Sequence, residues 1–449
     1  MKVLQRLLFT VATCAAAAPV SANELNRVYT RALQNDSVLQ AAQHARDAQL
    51  ERRPQARAAL LPQLGASYSY SEGDAQGSAT QIGTNQGQDF VIASQFDSDS
   101  SSESFGLSLN QVIFDWAAFR SYAIAGDQLA LAQAVYREAE QALILRVTRA
   151  YFDLLAADDN LRFARAENKA VERQLEQATR RFEVGFSAIT DVQEAQARFD
   201  LTVAREIQAR QLLANAHQAL RVITGPQDNR VAKFRADIPL PTPDPLDPDA
   251  WARSAQENNL DLLAARLSAD IARKGIGVAQ AGHLPTVGLR GSYTDADDET
   301  GDRSQQIEAD SIGITVNLPL FSGFAVRSRV REASAVHEQS LAQLETVSRS
   351  VDQLTRDAYL GVMAGAARVR ALKQAVVSSR TALEASQTGL EVGTRTAVDV
   401  LNSQRDLYNA QTNHARARYD FLLAVLTLKS AAGQLKATDL NQIDALLDG

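Results

Sequence analysis

The sequence predicts a mainly α-helical chain that also contributes four strands to a membrane β-barrel. Three observations carry this reading: an internal repeat across most of the chain, very long runs of strong helix formers, and four segments with a period of two. The 449 residues are enough for an extended architecture. Hydrophobic residues make up 45% and charged residues 22%, which excludes a disordered chain. With 23 glycines and 11 prolines, collagen-like and Pro-rich compositions are excluded as well. A mean hydropathy of −0.21 argues against a bundle of membrane-spanning helices. The net charge of −7 argues against a nucleic-acid partner.

The repeat sets the order of elements. Asn35, Leu39, Leu61, Pro62, Gly65, Ser69 and Tyr70 recur at one constant offset as Asn258, Leu262, Leu284, Pro285, Gly288, Ser292 and Tyr293. Ala150, Tyr151, Glu183, Val184, Gly185, Asp191, Val192, Gln196 and Gly225 recur as Ala358, Tyr359, Glu391, Val392, Gly393, Asp399, Val400, Gln404 and Gly433. The offset shortens between Tyr70 and Ser104, so the first repeat carries a longer insert over 71–104. Repeats are expected at 23–225 and 249–433. A Pro-rich linker at 226–248 joins them, and a C-terminal tail at 434–449 follows.

Each repeat predicts a helical segment (24–60, 249–283) and then a strand opened by Leu61-Pro62 or Leu284-Pro285. A polar loop, a second strand, a helix of nearly seventy residues (117–184, 324–392), a glycine turn and a shorter helix (188–224, 396–432) follow. Ala, Leu, Gln, Glu and Arg dominate the helices. At 1.5 Å per residue the long helix spans about 100 Å, so it matches two shorter helices placed end to end. In the strands, Leu64, Ala66, Tyr68 and Tyr70 alternate with Gly65, Ser67 and Ser69. Ile312, Ile314, Val316 and Leu318 alternate with Ser311, Gly313, Thr315 and Asn317. One apolar face and one small or polar face suit a barrel strand between lipid and a wet interior. The polar segments 71–104 and 295–310 are expected as extracellular loops.

Residues 1–22 read as a secretory signal: Lys2 and Arg6, the apolar run Leu7 to Val20, and Val20-Ser21-Ala22 before the cleavage point. Cys14 is the single cysteine, so the processed chain has none and holds no disulfide framework. His44, His217, His283, His337 and His414 are scattered, without a zinc-helix spacing. No catalytic constellation, metal site or cofactor site emerges. The acidic run Asp295, Asp297, Asp298, Glu299 and Asp302 lacks the glycine and glutamate positions of a calcium loop.

Four strands cannot close a barrel, because an unpaired strand edge in lipid costs several kcal/mol per backbone group. Several copies must share the wall, and closure alone allows two, three or four. The runner-up reading is a soluble periplasmic coiled-coil adaptor or scaffold. The aromatic junctions Phe114-Asp115-Trp116 and Leu320-Phe321-Ser322 favour the membrane reading.

Blocks at matching places in both repeats carry a family resemblance. They are Leu61-Pro62-Gln63-Leu64, Phe182-Glu183-Val184-Gly185, Ala188-Ile189-Thr190-Asp191-Val192-Gln193, Ile223-Thr224-Gly225, Val392-Gly393-Thr394-Arg395-Thr396, Val398-Asp399-Val400-Leu401 and Leu407-Tyr408-Asn409-Ala410. With these blocks the chain resembles the TolC family of outer-membrane channels over essentially its whole length after the signal. The resemblance implies a homotrimeric channel-tunnel in the Gram-negative outer membrane, with a shared 12-stranded barrel on a long α-helical periplasmic tunnel. It implies a passive exit duct for drugs or proteins in tripartite efflux and type I secretion, with no enzyme activity and no cofactor. The implied partners are a periplasmic adaptor (membrane fusion) protein, an inner-membrane pump of RND or ABC type, and outer-membrane lipid.

The resemblance also assigns residues. Asp399 becomes the acid of a ring that closes the periplasmic end, and Thr190, Asp191 and Arg395 become polar links between neighbouring helices. Asn402 stands where the family has a second ring aspartate, and Leu390 where it has a tyrosine. Glu183, Val184, Gly185, Glu391, Val392 and Gly393 become the tip that contacts the adaptor. From the residues alone, Asp191 and Asp399 each follow a glycine turn at a helix start, where a carboxylate caps free N–H groups.

Overall fold

The computed structural model describes residues 24–85, 88–226, 233–234, 239–301 and 303–448. The expected signal 1–22, Asp302 and linker residues 227–232 and 235–238 lie outside the described residues. The chain forms two compact units. One holds the chain up to Ala42, Tyr136–Leu260 and the chain from Ser348; the other holds Gln43–Val135 and Asp261–Val347.

The elements run α1 (Glu24–Asn35), α2 (Ser37–Leu50), α3 (Arg52–Ala58), β1 (Gln63–Asn85), β2 (Gln88–Phe114), α4 (Trp116–Glu183), α5 (Ile189–Thr224) and β3 (Lys233–Phe234). They continue α6 (Pro248–Asn258), α7 (Leu260–Gln280), β4 (Thr286–Thr300), β5 (Arg303–Asn317), α8 (Ala325–Glu391), α9 (Ala397–Ala431), α10 (Asp439–Asp444) and β6 (Leu447–Asp448). The expected helix 24–60 breaks at Asp36, whose carboxylate accepts the Leu39 N–H and so starts α2. Its counterpart 249–283 breaks at Asn259, which is extended, between α6 and α7. Asp115 caps α4 by accepting the Ala117 and Ala118 N–H groups. Asp247 caps α6 with Pro248 in its first turn, an entry that proline tolerates because its missing N–H would be unpaired there.

The unit containing the sheet orders its strands β1-β2-β4-β5, all antiparallel. Here one expectation is corrected. Among the described residues, segments 71–104 and 295–310 are strand rather than loop apart from the turn residue Gly301: β1 pairs with β2 from Gln63↔Asn110 out to Asn85↔Gln88, and β4 with β5 out to Thr300↔Arg303. Proline is absent from 63–114, and antiparallel pairing along each hairpin satisfies the backbone groups that face the partner strand, so a polar sequence stays extended without a hydrophobic face. The equivalent serine pairs Ser69–Ser104 and Ser292–Ser311 hydrogen-bond across each hairpin at 2.8 and 2.9 Å. In the same unit Lys274 pairs with Asp127 at 2.5 Å, tying α7 to α4.

The other unit holds the main core. Leu143, Val147, Tyr151 and Leu154 of α4 pack with Leu25 of α1, Leu220 of α5, Trp251 of α6, Val362 of α8 and Phe421 and Leu428 of α9. Gly365 lets α8 approach α9 closely, since a Cβ there would lie 3.3 Å from the Phe421 ring. Asp159 of α4 accepts the Tyr419 hydroxyl of α9 at 2.7 Å, and burial first, then that carboxylate, pushes the phenol pKa up. The segment after α9 is folded: α10 is held to α9 by Lys429–Asp439 at 2.8 Å. The buried Asp444 accepts the Leu25 and Asn26 N–H groups and so caps α1 from the other end of the chain.

Candidate functional site

Two places stand out, the sheet and the turns that end the long helices. In the sheet, register puts Leu64, Ala66 and Tyr68 opposite Leu109, Leu107 and Phe105. Leu107 and Gln111 then lie opposite Tyr293 and Leu289, and Leu289 lies opposite Ile314. These apolar residues near the helix-connected ends of all four strands therefore share one face, as the alternation predicts, and Gly65, Ser67, Ser69, Ser108, Ser292, Ser311 and Thr315 share the other, whereas further out Ile92 and Ile307 lie on that second face. That apolar face is bare within the chain: Leu64 is 76% and Ile312 77% exposed. Among the described residues β1 pairs only with β2 and β5 only with β4, so both edges are open. The ends next to α4 and α8 carry Phe114, Trp116, Phe119, Phe321 and Phe324, with Phe321 and Phe324 edge to face at 5.5 Å. No described helix is long and apolar enough to cross a membrane.

The turns at the far ends of α4 and α8 are built alike. Gly185 donates to the Phe182 carbonyl and Phe186 to that of Arg181. Gly393 donates to Leu390 and Thr394 to Gly389. Both glycines sit at φ +80°, the left-handed position that ends a helix with this pair of bonds. That accounts for the glycines but not for the repeated Glu-Val before them. Val184 is 67% and Val392 69% exposed, and Phe186 and Ile189 are also exposed.

The helix starts that follow are not alike. At α9, Thr396 is the N-cap: its hydroxyl accepts the Asp399 N–H at 3.2 Å, and the Asp399 carboxylate accepts the Thr396 N–H at 2.9 Å. The Thr396 hydroxyl also donates to that carboxylate at 2.9 Å. The Thr396 N–H bond, then its hydroxyl, and last the nearby Arg395 charge hold the Asp399 pKa below the usual range. At α5 the N-cap is Ala188, which has no side chain to cap with, and the Asp191 carboxylate accepts no hydrogen bond among the described residues. The stem of Arg395 lies over Gly389, where a Cβ would be 2.6 Å from its Cγ. No hydrogen bond joins Thr190 or Asp191 to Arg395 or Asp399 among the described residues; they sit at the starts of two different helices.

Asn402 is held within the chain. Its Oδ1 accepts from Arg198 Nη2 of α5 at 3.2 Å. Burial, then Arg405 and Arg205, lowers the Arg198 pKa. Two turns further, Arg205 pairs with the buried Glu167 of α4 at 3.1 Å; burial raises the Glu167 pKa and Arg205 opposes the rise. The Tyr408 hydroxyl donates to the Ala166 carbonyl at 3.2 Å. Val171, Ala178, Ala195 and Leu401 form a small core beneath the turns, so α4, α5 and α9 are packed here. Sequence reasoning missed Arg198 and Gly389. Thr396 was available to it as a Thr-x-x-Asp capping pattern.

Comparison with known proteins agrees with this architecture. The family model described as outer membrane efflux protein matches residues 28–226 and again 251–434. The chain is 37% identical over 451 residues to outer membrane protein TolC of Vibrio cholerae, covering 99% of this chain and 98% of the relative. It is 34% identical over 420 residues to the alkaline protease secretion protein AprF of Pseudomonas aeruginosa, covering 93% and 86%. The solved CmeC outer membrane channel of Campylobacter jejuni superposes with a TM-score of 0.74 at 17% identity, covering 95% and 90%, and so shares the fold. Full-length similarity to outer-membrane channels sets aside the soluble adaptor or scaffold reading. The chain belongs to the outer membrane efflux protein family.

Proposed function

We propose that three copies of this chain form one channel, with a twelve-stranded barrel as its wall and the long helices as a duct into the periplasm. The observation that carries this is the four-stranded sheet, whose bare apolar face and two open edges need further strands in lipid. Barrels of eight, twelve or sixteen strands all fall within the bacterial range, and twelve is the number that the family resemblance implies. The doubled family match supports two repeats of one unit. The chain is an outer-membrane exit duct for efflux and type I secretion, a transport protein and not an enzyme. It works with adaptor and pump components; an inner-membrane pump of RND or ABC type is the expected driver.

At the periplasmic end, Asp399 forms the acidic ring, and Thr190, Asp191 and Arg395 hold neighbouring helices. Their lack of hydrogen-bond partners on one another within a single chain is consistent with partners on a sister copy. Asn402 supplies a neutral ring and Leu390 no hydrogen bond, so three carboxylates attract multivalent cations less than six would. Glu183, Val184, Gly185, Glu391, Val392 and Gly393 form the docking tip for the adaptor, since exposed valines on a rigid turn serve no core.

Deleting the gene and scoring drug sensitivity together with the secreted proteins tests the function. The expected result is a defect in at least one, restored by the wild-type chain. No defect in either contradicts the reading.

A further inference from the structure

The two tips share geometry but not charge. Near the end of α4, Arg173, Glu176, Gln177, Arg180 and Arg181 line a shallow groove that runs to Val184. By the repeat offset, the matching residues of α8 are Thr381, Glu384, Ala385, Thr388 and Gly389. Three arginines and one glutamate on the first tip thus replace two threonines, a glycine and a glutamate on the second. The groove arginines are not neutralised inside the chain. Arg173 donates only to the Lys169 carbonyl, at 3.3 Å, and Arg180 and Arg181 make no ion pair among the described residues. Arginines higher on the same bundle are paired: Arg165 and Arg210 with Glu206, Arg205 with Glu167, and Arg416 with Asp153.

We propose that this groove receives an acidic helical segment of the periplasmic adaptor. Arg173 and Arg180 lie seven residues apart on one helix, about 10 Å along its axis. Two carboxylates two turns apart on a partner helix match that spacing, with a small apolar side chain against Val184. The inference rests on the reading of the tip as a docking face and adds a charge register to it. The adaptor distinguishes two tips of equal turn shape by carboxylates that the three arginines of the α4 groove attract more strongly than the α8 tip, where Arg395 lies over Gly389.

The probe is a purified periplasmic adaptor selected for measurable binding to the detergent-solubilised wild-type channel. Arg173→Glu with Arg180→Glu is expected to slow association by about tenfold or more and to flatten its salt dependence, as charge reversal at an interface does. Arg173→Lys with Arg180→Lys is expected to keep most of the affinity, and Thr381→Glu with Thr388→Glu to change it far less. Wild-type binding and salt dependence in the reversed variant, with binding lost in Gly185→Trp, overturns the groove while leaving tip docking intact. Wild-type binding in both overturns the tip reading and the groove with it. Loss of the wild-type oligomeric mass in the reversed variant alone means that a sister copy fills the groove, which also overturns the proposal.

Discussion

Asp191 and Asp399 occupy the same place in the two repeats, yet only one is engaged by its helix. The difference lies three residues earlier, where Thr396 offers a hydroxyl and Ala188 a methyl group. The folded-state pKa of Asp399 is depressed, so its contribution is present above the ordinary carboxylate range and is lost as pH falls through the depressed value. Protection of the first-turn amides of α9, relative to their intrinsic exchange at each pH, is therefore expected to hold at neutral pH and to fall only at pH below the ordinary carboxylate range. Thr396→Ala removes that protection at every pH, at about 1 kcal/mol. The first turn of α5 is expected to show no such transition, and matching profiles at both helices would refute the asymmetry. Asn402 gives a second test. Asn402→Asp turns the Arg198 hydrogen bond into an ion pair and adds a carboxylate beside Asp399, so planar-bilayer recordings are expected to show stronger block by multivalent cations. Unchanged block would place residue 402 away from the constriction. An acid after a glycine turn is visible in the sequence. The Arg198–Asn402 bond is not, because it joins residues 204 positions apart.

Elements were legible where a local signal ends them. The long helices were expected at 117–184 and 324–392 and are found at Trp116–Glu183 and Ala325–Glu391, because Gly185 and Gly393 carry the left-handed turn that stops them. The strands beyond Tyr70 and Tyr293 were misread as loops. Their serines, aspartates and glutamines give no hydrophobic period, and what holds them extended is pairing with a distant segment. The folded end of the chain was unreadable for a like reason: Asp444 finds its partners at Leu25 and Asn26. Glycines make a prediction at this scale. Gly433 sits at φ +69°, and a Cβ there would lie 2.2 Å from the Asn258 carbonyl oxygen, backbone that cannot swing aside. Gly433→Ala is expected to cost about 3 kcal/mol or more. Gly185→Ala meets nothing within 4 Å and costs only its left-handed conformation, about 1–2 kcal/mol. Denaturant midpoints of the two variants check this, and equal losses would contradict it.

For the whole molecule, alternation along single strands already implied a lipid-facing wall, and the register bears out one shared apolar face. The number of copies is not written in any one strand, since closure admits more than one solution; three is the proposal that family membership favours. Native mass spectrometry of the detergent-solubilised protein, paired with single-channel conductance of the same preparation, tests it most directly. The predicted result is a species of three chains that conducts, with dissociated single chains that do not. A folded single chain that conducts ions by itself would contradict it.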